Sequence, residues 1–491
     1  MDWLLVALFC VPLVATLGSL VARATVAEAV TVVAAVASLA LAVATAASVR
    51  DGSTLTIAGH WLALDALGAV FLLATAFLYT VASIFSIGYL RADERRRDYP
   101  AFARRYFALL NLFGWTMLIV PLMNDYATLW IAVELTTIVS VLLVALDRTE
   151  AALEAAWKYI LIASVGLGLA LLGVVFLYAA GTGKLGNAYL PRYDTLLGAA
   201  RSLPATPVKL AFLLATIGFG TKVGFVPMHT WLPDAHSEAP SSVSAMLSGA
   251  LLANALYAIL RFFQVSAITD GSGFPRHVLL VFGLLSLGLA ALYVLRQESY
   301  KRLLAYSSIE HMGVIALGIG FGVPIAIFGA LLHVLNHAAA KSLAFFGAGS
   351  ILRRYDTKQI DRVRGVVSVL PVTGPMFFAA ALALSGFPVS GIFRSEFQIV
   401  SGGFSKPAYF WVALLIVLVN VAFLGIVWHA GRMALTPADP DAAVQRGETS
   451  WWIAAAMVIS LLVVVGLGLH VPGGLAELLH SASHLLLPSG P

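Results

Sequence analysis

Long apolar runs recur from one end of the chain to the other, and short polar connectors separate them. Each run has about 20 residues, enough for a helix to cross a bilayer core of about 30 Å. No polar connector is long enough to form a separate soluble domain. The pattern predicts an all-α integral membrane protein with a single domain over 1–491 and about 14 transmembrane helices. The predicted helices cover residues 3–22, 26–48, 63–90, 106–122, 125–146, 155–180, 207–230, 241–264, 276–296, 302–320, 324–350, 365–400, 407–432 and 451–470.

Glycine and proline interrupt two of these helices, the seventh and the twelfth. A membrane protein tolerates the unpaired backbone groups of such a break where they face protein or a wet cavity. Because the two breaks lie five helices apart, the pattern predicts two related halves, helices 4–8 (106–264) and 9–13 (276–432). An odd number of helices per half makes the repeats inverted. The N-terminal three-helix part covers 1–105, and the last helix covers 451–470. The interrupting residues are Gly218, Gly220, Gly224 and Pro227 in helix seven and Gly386, Pro388 and Gly391 in helix twelve.

Composition narrows the class of function. The chain is 60% hydrophobic and only 11% charged, whereas soluble domains are roughly 25% charged. The net charge of +5 does not indicate nucleic acid, because the basic residues lie in the loops between helices. Cys10 is the only cysteine, and an iron–sulfur cluster usually needs four. The chain also lacks a nucleotide-binding loop and a nucleophile elbow. We therefore expect no cofactor in this chain and no catalytic site of its own, so that in an oxidoreductase it would be a non-catalytic membrane subunit.

The distribution of Lys and Arg predicts the orientation in the membrane. Cytoplasmic loops carry an excess of both residues. Here the excess lies in the loops that follow odd-numbered helices. Both termini are therefore expected on the non-cytoplasmic side of the cell inner (cytoplasmic) membrane. The densest group is Arg91, Arg95, Arg96, Arg97, Arg104 and Arg105.

Two opposite charges fall inside predicted spans of the first half. Glu134 lies in the middle of helix five, and Lys222 lies at the break in helix seven. An ionised group in hydrocarbon costs at least about 2.5–3.5 kcal/mol, and such groups usually serve an ion pathway. If the two side chains meet, each offsets the desolvation of the other and their protonation is coupled. We predict a unit of a proton path, and the alternative is a static ion pair that fixes helix packing.

A second polar group lies in helix eleven. His333, His337 and Lys341 are spaced four residues apart, so they share one helix face over about 12 Å. Histidine titrates near physiological pH, and its two ring nitrogens can pass on a proton. We predict that the three residues line a proton path and hold no metal. The alternatives are a zinc site formed by the two histidines and a structural histidine pair.

Glu396 follows the second break, where it is the counterpart of Lys222 in the other half. Arg394, two residues earlier, pairs either with Glu396 or with lipid. Asp65, at the start of helix three, is predicted to cap it.

Several polar residues are accessory candidates for the relay. Lys158 forms an i,i+4 surface pair with Glu154 or makes a contact between subunits. His311 lies in the second-half helix that corresponds to the helix of Glu134. The segment HTWLPDAHSEAP is either a wet proton entrance or a hydrated loop, and its candidates are His229, Asp234 and His236.

The chain resembles a known family in three stretches, TKVGFVPMHTWLPDAHSEAPSSVSAMLSGALL, YKRLLAYSSIEHMG and LLHVLNHAAAKSLAFF. The family comprises the antiporter-like membrane subunits of respiratory complex I, energy-converting membrane hydrogenases and multi-subunit sodium/proton antiporters. Within it, WIAVELTTIVSVLLVAL and FRSEFQIV look most like component F of hydrogenase-4. The resemblance implies 14 helices with inverted five-helix repeats and interrupted helices seven and twelve. It also implies that Glu134 and Lys222 are a first-half pair, that Glu396 is the terminal site, and that the central polar axis holds His333, His337 and Lys341.

One position departs from the family pattern. Many relatives carry a lysine in the eighth helix that links the two halves, and here Ala253 stands in its place. A link between the halves would then use the adjacent Asn254 with water, or Ser248.

These observations predict a proton-translocating subunit of a redox-driven complex that is hydrogenase-4-like or NADH:quinone-oxidoreductase-like. Its partners would be other membrane subunits and, through them, a peripheral nickel–iron and iron–sulfur arm. One alternative is a subunit of a multi-subunit sodium/proton antiporter without redox partners. Another is a non-transporting membrane partner of a soluble protein in inorganic-carbon uptake.

Overall fold

The computed structural model describes residues 3–57, 60–92, 99–271, 273–405, 408–438 and 444–487. Arg95, Arg96 and Arg97, which contribute to the predicted orientation, lie outside these ranges.

The described chain is almost entirely helical, with one small antiparallel hairpin. The hairpin joins β1 (Leu55–Ile57) to β2 (Leu62–Leu64), with Leu55 opposite Leu64. The helices are α1 (Trp3–Val21), α2 (Ala24–Val49), α3 (Ala66–Arg91), α4 (Tyr99–Ile119), α5 (Tyr126–Val144), α6 (Glu150–Leu185), α7 (Tyr193–Ala199), α8 (Ala205–Val223), α9 (Leu232–Glu238), α10 (Ser241–Met246), α11 (Leu252–Thr269), α12 (Gly273–Val294), α13 (Tyr300–Phe321), α14 (Pro324–Tyr355), α15 (Val366–Val369), α16 (Thr373–Leu384), α17 (Gly391–Ser405), α18 (Tyr409–Leu435), α19 (Trp451–Leu469) and α20 (Gly473–His484).

Eleven helical segments in the described ranges are long and apolar enough to cross a membrane. The prediction of an α-helical, multi-pass membrane protein is therefore confirmed. The other three predicted spans are also largely helical, and they correspond to α8, to α14, and to α15–α17. These three spans are not among the eleven segments because their sequences are too polar or are interrupted. The count of about 14 spans and the inverted repeats stay predictions.

The chain leaves helical geometry at both predicted interruptions. Helix α8 ends before Gly224, which has a φ of +86°, and the chain turns before α9 begins. Helix α16 ends shortly before Gly386, which has a φ of +66°. Left-handed backbone of this kind favours glycine. A third irregularity was not predicted: Leu247–Leu251 form a π-helical turn between α10 and α11.

Four regular elements were missed by the sequence pattern: the hairpin, α7, α9 and α20. All are too short to show a clear hydrophobic period. Helix α6 is also longer than the predicted 155–180. Its start is fixed by Thr149, whose side chain accepts a hydrogen bond from the Ala152 amide, and it ends at Gly186.

The core of the bundle forms around α14, which contacts α3, α13, α16, α17 and α19. Helices α11, α13 and α14 are buried along nearly their whole length. Helices α1, α2, α6 and α18 instead expose apolar side chains on their outer faces. The buried polar residues therefore gather in the middle of the molecule.

Candidate functional site

Lys222 is completely buried in the last turn of α8. Its ammonium donates to the Val133 carbonyl oxygen at 2.8 Å and to the hydroxyls of Thr136 and Thr137, both at 2.5 Å. A lysine ammonium has three donors, so α5 satisfies all of them with neutral groups.

Glu134 lies on the same turn of α5 but is directed towards α6. It is half-buried, and its Oε1 accepts a hydrogen bond from the Ser164 hydroxyl at 3.1 Å. Its Oε2 is buried with no hydrogen-bond partner among the described residues. No ion pair between Glu134 and Lys222 occurs in the part of the chain that the structure describes. The two groups are neighbours across the α5 backbone, because the carbonyl that holds Lys222 belongs to the residue before Glu134.

The interrupted segment after α8 covers this first-half site. The Trp231 ring stacks on Tyr159 with centroids 4.2 Å apart, and its indole N–H donates to the Thr221 carbonyl at 2.7 Å. The Tyr159 hydroxyl is 2.8 Å from Ser140 Oγ. These contacts hold α5, α6 and the break of α8 together around Lys222.

Lys341 has the same kind of environment in the middle of α14. It is completely buried, and its ammonium donates to the Leu304 carbonyl at 2.8 Å and to the Ser307 hydroxyl. Both acceptors belong to α13. Glu310 lies one turn further along α13, buried and in electrostatic contact with Lys341 and Glu396. By local environment, the second-half counterpart of Lys222 is therefore Lys341, and Glu310 stands beside it as Glu134 stands beside Lys222.

The histidines form a directed hydrogen-bond chain. His311 Nδ1 is 3.0 Å from His333 Nε2, and His333 Nδ1 is 2.9 Å from Ser395 Oγ. The Ser395 hydroxyl donates to backbone carbonyls of its own helix, so its oxygen accepts from His333 Nδ1–H. His333 Nε2 then accepts from His311 Nδ1–H. This assignment follows from the network, and it makes the accessory candidate His311 a central member.

Glu396 lies next to these histidines on α17. One of its carboxylate oxygens and one ring nitrogen each of His311 and His333 all lie within 4.8 Å of one another. Its Oε2 packs against Gly386, where a Cβ would collide with it, and its Oε1 has no partner in the described ranges. The carboxylate also lines a cavity of about 290 Å³ between α13, α17 and α18. Arg394 does not pair with it and instead donates to the Gly468 carbonyl at 3.4 Å.

The two halves meet at the π-helical turn. Ser248 Oγ is 2.7 Å from Ser308 Oγ, and the Ser248 carbonyl oxygen is 3.3 Å from His337 Nε2. Asn254 faces the other way, since it donates to Met117 O at 3.0 Å and to Thr75 Oγ1 at 3.4 Å. Of the two residues expected to replace a lysine at Ala253, only Ser248 contacts the second half. Single π-helical turns are frequent at functional sites.

The remaining accessory candidates separate into surface and buried groups. Asp234 pairs with Arg302 at 2.6 Å and with Lys158 at 3.5 Å, and Lys158 also forms the predicted pair with Glu154 at 2.6 Å. All four side chains are partly exposed, so they form a surface network.

His229 and His236 are buried, which contradicts the interpretation of their segment as a hydrated loop. The reason is that Leu232–Glu238 form helix α9, which packs between α6 and α13. His236 Nδ1 is 2.9 Å from the Leu232 carbonyl oxygen.

Sequence reasoning missed several buried polar residues. Lys301 is 1% exposed and donates to the Ala239 carbonyl at 2.6 Å, although its position indicated a loop. Asn336 donates to the Gly391 carbonyl at 2.6 Å and so joins α14 to the start of α17. Arg261 lies within the predicted eighth helix, but its pairing was not foreseen: it is buried and forms two hydrogen bonds of 2.7 Å with Asp65. Asp65 is a helix cap as predicted, because it accepts from the Gly68 amide at 2.8 Å.

Comparison with known proteins gives the family. Residues 123–423 match the family described as NADH:quinone oxidoreductase/Mrp antiporter, transmembrane. The chain is 33% identical over 432 residues to a hydrogenase-4 component F homolog of Methylacidiphilum infernorum, covering 87% of this chain and 89% of that protein. It is 30% identical over 429 residues to NADH-quinone oxidoreductase subunit N of Desulforudis audaxviator, covering 84% and 82%.

The fold is also that of one chain in a solved membrane complex. A chain of an archaeal membrane-bound sulfane sulfur reductase aligns over 98% of both chains with a TM-score of 0.86 and 23% identity. The matched region spans both interrupted helices and the polar residues between them. The chain therefore belongs to the NADH:quinone oxidoreductase/Mrp antiporter family and is one of its antiporter-like membrane subunits.

Proposed function

We propose that this chain carries protons across the membrane as a non-catalytic subunit of a redox-driven complex. The proton would move through buried groups in the middle of the bundle, and Ser248 would connect the two halves. Redox chemistry in other subunits would change the charge balance among these groups. The residues proposed to carry the proton are Glu134, Lys222, Lys341, His337, His311, His333 and Glu396.

The observation that carries the proposal is the environment of the two buried lysines. Lys222 and Lys341 are held by carbonyl and hydroxyl oxygens, with no carboxylate in hydrogen-bond contact in the described ranges. A hydroxyl that accepts from an ammonium can donate to the neutral amine instead. Such a site tolerates both protonation states, whereas a structural ion pair does not.

The chain uses true ion pairs elsewhere, which makes the contrast informative. Arg261 and Asp65 form a bidentate ion pair, and Arg91 forms an ion pair of 2.6 Å with the buried Glu28. Both pairs join helices outside the central axis. Because removing one partner of a buried pair costs about 3–5 kcal/mol, these pairs suit a structural role and the lysine sites suit proton exchange.

The names of the relatives support a hydrogenase-4-like complex as the setting. In that setting the chain would cross the inner membrane about 14 times, with inverted repeats and both termini on the non-cytoplasmic side. Its neighbours would be other membrane subunits, and a nickel–iron and iron–sulfur arm would supply the electrons.

Transport by variants of the first-half site tests the proposal. In the complex reconstituted into vesicles, Lys222→Ala and Glu134→Ala should each abolish coupled proton transport, because each removes a carrier. Subunit composition should stay unchanged. Lys209→Ala is the matched control, since Lys209 lies on the same helix but forms a surface pair with Asp270 at 2.8 Å. If either site variant pumps at the normal stoichiometry, the proposed mechanism is wrong.

Sodium/proton antiport is the second candidate, and the family description, which includes Mrp antiporters, favours it. The subunits that co-purify with the chain discriminate between the two. A nickel–iron subunit supports the redox-driven complex, whereas proton efflux that requires a sodium gradient supports antiport. Unchanged function in both site variants would instead support a non-transporting partner module.

A further inference from the structure

We propose that His311, His333 and Glu396 form a binding site for a divalent transition-metal ion, of which Zn²⁺ is the best match, and that the ion occupies the place of the proton between the two histidines. The ion is an inhibitor and not a resident cofactor. The inhibition rests on the proposed function, whereas the binding itself does not require that the chain transports protons.

The donor set fits zinc. Two imidazole nitrogens and one carboxylate oxygen, with a fourth position left for water, are a common zinc ligand set. The three donor atoms come from α13, α14 and α17 and lie within 4.8 Å of one another. This set differs from the pair that helical spacing suggests, because His337 Nε2 is directed to the Ser248 carbonyl oxygen.

The required movement is small. The two facing nitrogens of His311 and His333 are now 3.0 Å apart. With zinc–nitrogen distances of about 2.0–2.1 Å and tetrahedral angles, two ligands are about 3.3 Å apart. The ion can therefore enter when the proton moves from Nδ1 of His311 to Nε2 of the same ring, which has no hydrogen-bond partner among the described residues, while the Glu396 side chain rotates towards the ion.

The hydrogen bonding around His333 and Glu396 favours metal binding by both side chains. Ser395 accepts from His333 Nδ1–H at 2.9 Å, which leaves the lone pair of Nε2 for a metal. A hydrogen bond of this kind to the second ring nitrogen is the usual support of a metal-bound histidine. Glu396 Oε1 is buried without a partner in the described chain, so this oxygen is free to bind a metal ion.

A metal ion can reach the site through the cavity beside the Glu396 carboxylate. Glu396 is only half-buried and borders the cavity of about 290 Å³, where Ser385 and Asn420 add polar atoms. An ion in this cavity would meet Glu396 first and the two histidines behind it.

Zinc binding to the purified full chain tests the site. Titration calorimetry should give one tight Zn²⁺ per chain, and X-ray absorption should show two nitrogen ligands and at least one oxygen ligand. His311→Gln, His333→Gln and Glu396→Gln should each weaken binding by at least about tenfold. Zinc should also raise the thermal unfolding midpoint of the wild type and not of these variants.

Two histidine variants serve as controls. His277→Gln removes an exposed histidine of α12, and His337→Gln removes a buried one on the same face of α14 as His333. Both should keep the tight site. If a histidine variant fails to fold, Glu396→Gln carries the test, because its side chain is half-buried.

Wild-type affinity in His311→Gln and His333→Gln would overturn the assignment, as would loss of the site in His337→Gln alone. Zn²⁺ should inhibit proton transport by the wild-type complex, and wild-type transport that is unchanged at saturating Zn²⁺ would overturn the inhibitory role. A wild-type complex that moves no protons even without zinc would refute the proposed function and leave the binding result standing.

Discussion

At the scale of single residues, the feature that matters is how buried charges are held. Lys222 and Lys341 rest on oxygen atoms of a neighbouring helix, and Arg261 rests on a carboxylate. Hydrogen bonds to a charged group contribute about 1.5–3 kcal/mol each, so both arrangements stabilise the charge. Only the first also suits the neutral form, because hydroxyls can reverse their direction.

Replacing the two hydroxyls beside Lys222 tests this distinction. In Thr136→Val/Thr137→Val the ammonium keeps only the Val133 carbonyl as an acceptor, and the side chains keep their shape. We expect the rate of proton transport to fall by at least about tenfold, which corresponds to the loss of about 1.4 kcal/mol. Thr216→Val on α8 is the control, because Thr216 donates only to the Phe212 carbonyl of its own helix. Equal rates in the two variants would contradict the role given to the hydroxyls.

Asp65 gives a residue-scale prediction about stability. Burial opposes its ionisation, but the charge and hydrogen bonds of Arg261 outweigh burial and hold the pKa of Asp65 below its ordinary value. A lowered pKa means that the pair stabilises the folded state above the unfolded pKa of about 3.9 and loses this contribution as the pH falls through the folded value.

Asp65→Asn should therefore lower the free energy of unfolding at neutral pH by about 3 kcal/mol, because Arg261 is left buried without its partner. Thermal unfolding measured from pH 7 towards acid should show the two proteins converging. A constant difference between them over this range would mean that Asp65 is not the group responsible.

At the scale of elements, the breaks in the helices create room for polar groups. Gly386 is in left-handed backbone after α16, and the Glu396 carboxylate occupies the space that a side chain there would fill. Gly391 likewise begins α17 where Asn336 reaches its carbonyl. The breaks that leave backbone groups unpaired therefore also bring the Glu396 carboxylate next to His311 and His333.

Gly386→Ala should disturb this arrangement directly. The left-handed conformation costs an alanine about 1–2 kcal/mol, and the new methyl group collides with Glu396 Oε2. We expect a lower unfolding midpoint together with a loss of proton transport. Gly168→Ala, in open space on α6, is the control and should be neutral or more stable by up to about 1 kcal/mol. Normal transport in Gly386→Ala would show that the position of Glu396 is not critical.

At the scale of the whole molecule, the buried charged and histidine side chains lie on central helices within an otherwise apolar core, and the outer helices expose apolar side chains. The central helix α14 contributes His333, His337 and Lys341, and seven other α-helices pack against it. Apolar outer faces are what a lipid environment requires, and this arrangement keeps the buried charged groups away from hydrocarbon.

The orientation can be tested with α6, which is long enough, at about 54 Å, to project from both sides of a bilayer core of about 30 Å. In a Cys10→Ser background, Glu150→Cys should react with an impermeant thiol reagent only from the cytoplasmic side. Lys184→Cys should react only from the opposite side, because both residues are exposed at the ends of this helix. The reverse labelling pattern would refute the orientation, and labelling of both from one side would refute the crossing.

The sequence by itself determined the class of the protein, the approximate bounds of the long helices, both breaks and the buried charges. These depend on local composition and periodicity, which burial in lipid makes unusually clear. Only the tertiary structure decided which polar groups meet: Lys222 with α5 hydroxyls and not Glu134, His311 with His333, and Ser248 in place of Asn254. Such pairings depend on the packing of helices that are distant in sequence and on side-chain directions, and neither leaves a periodic trace in the chain.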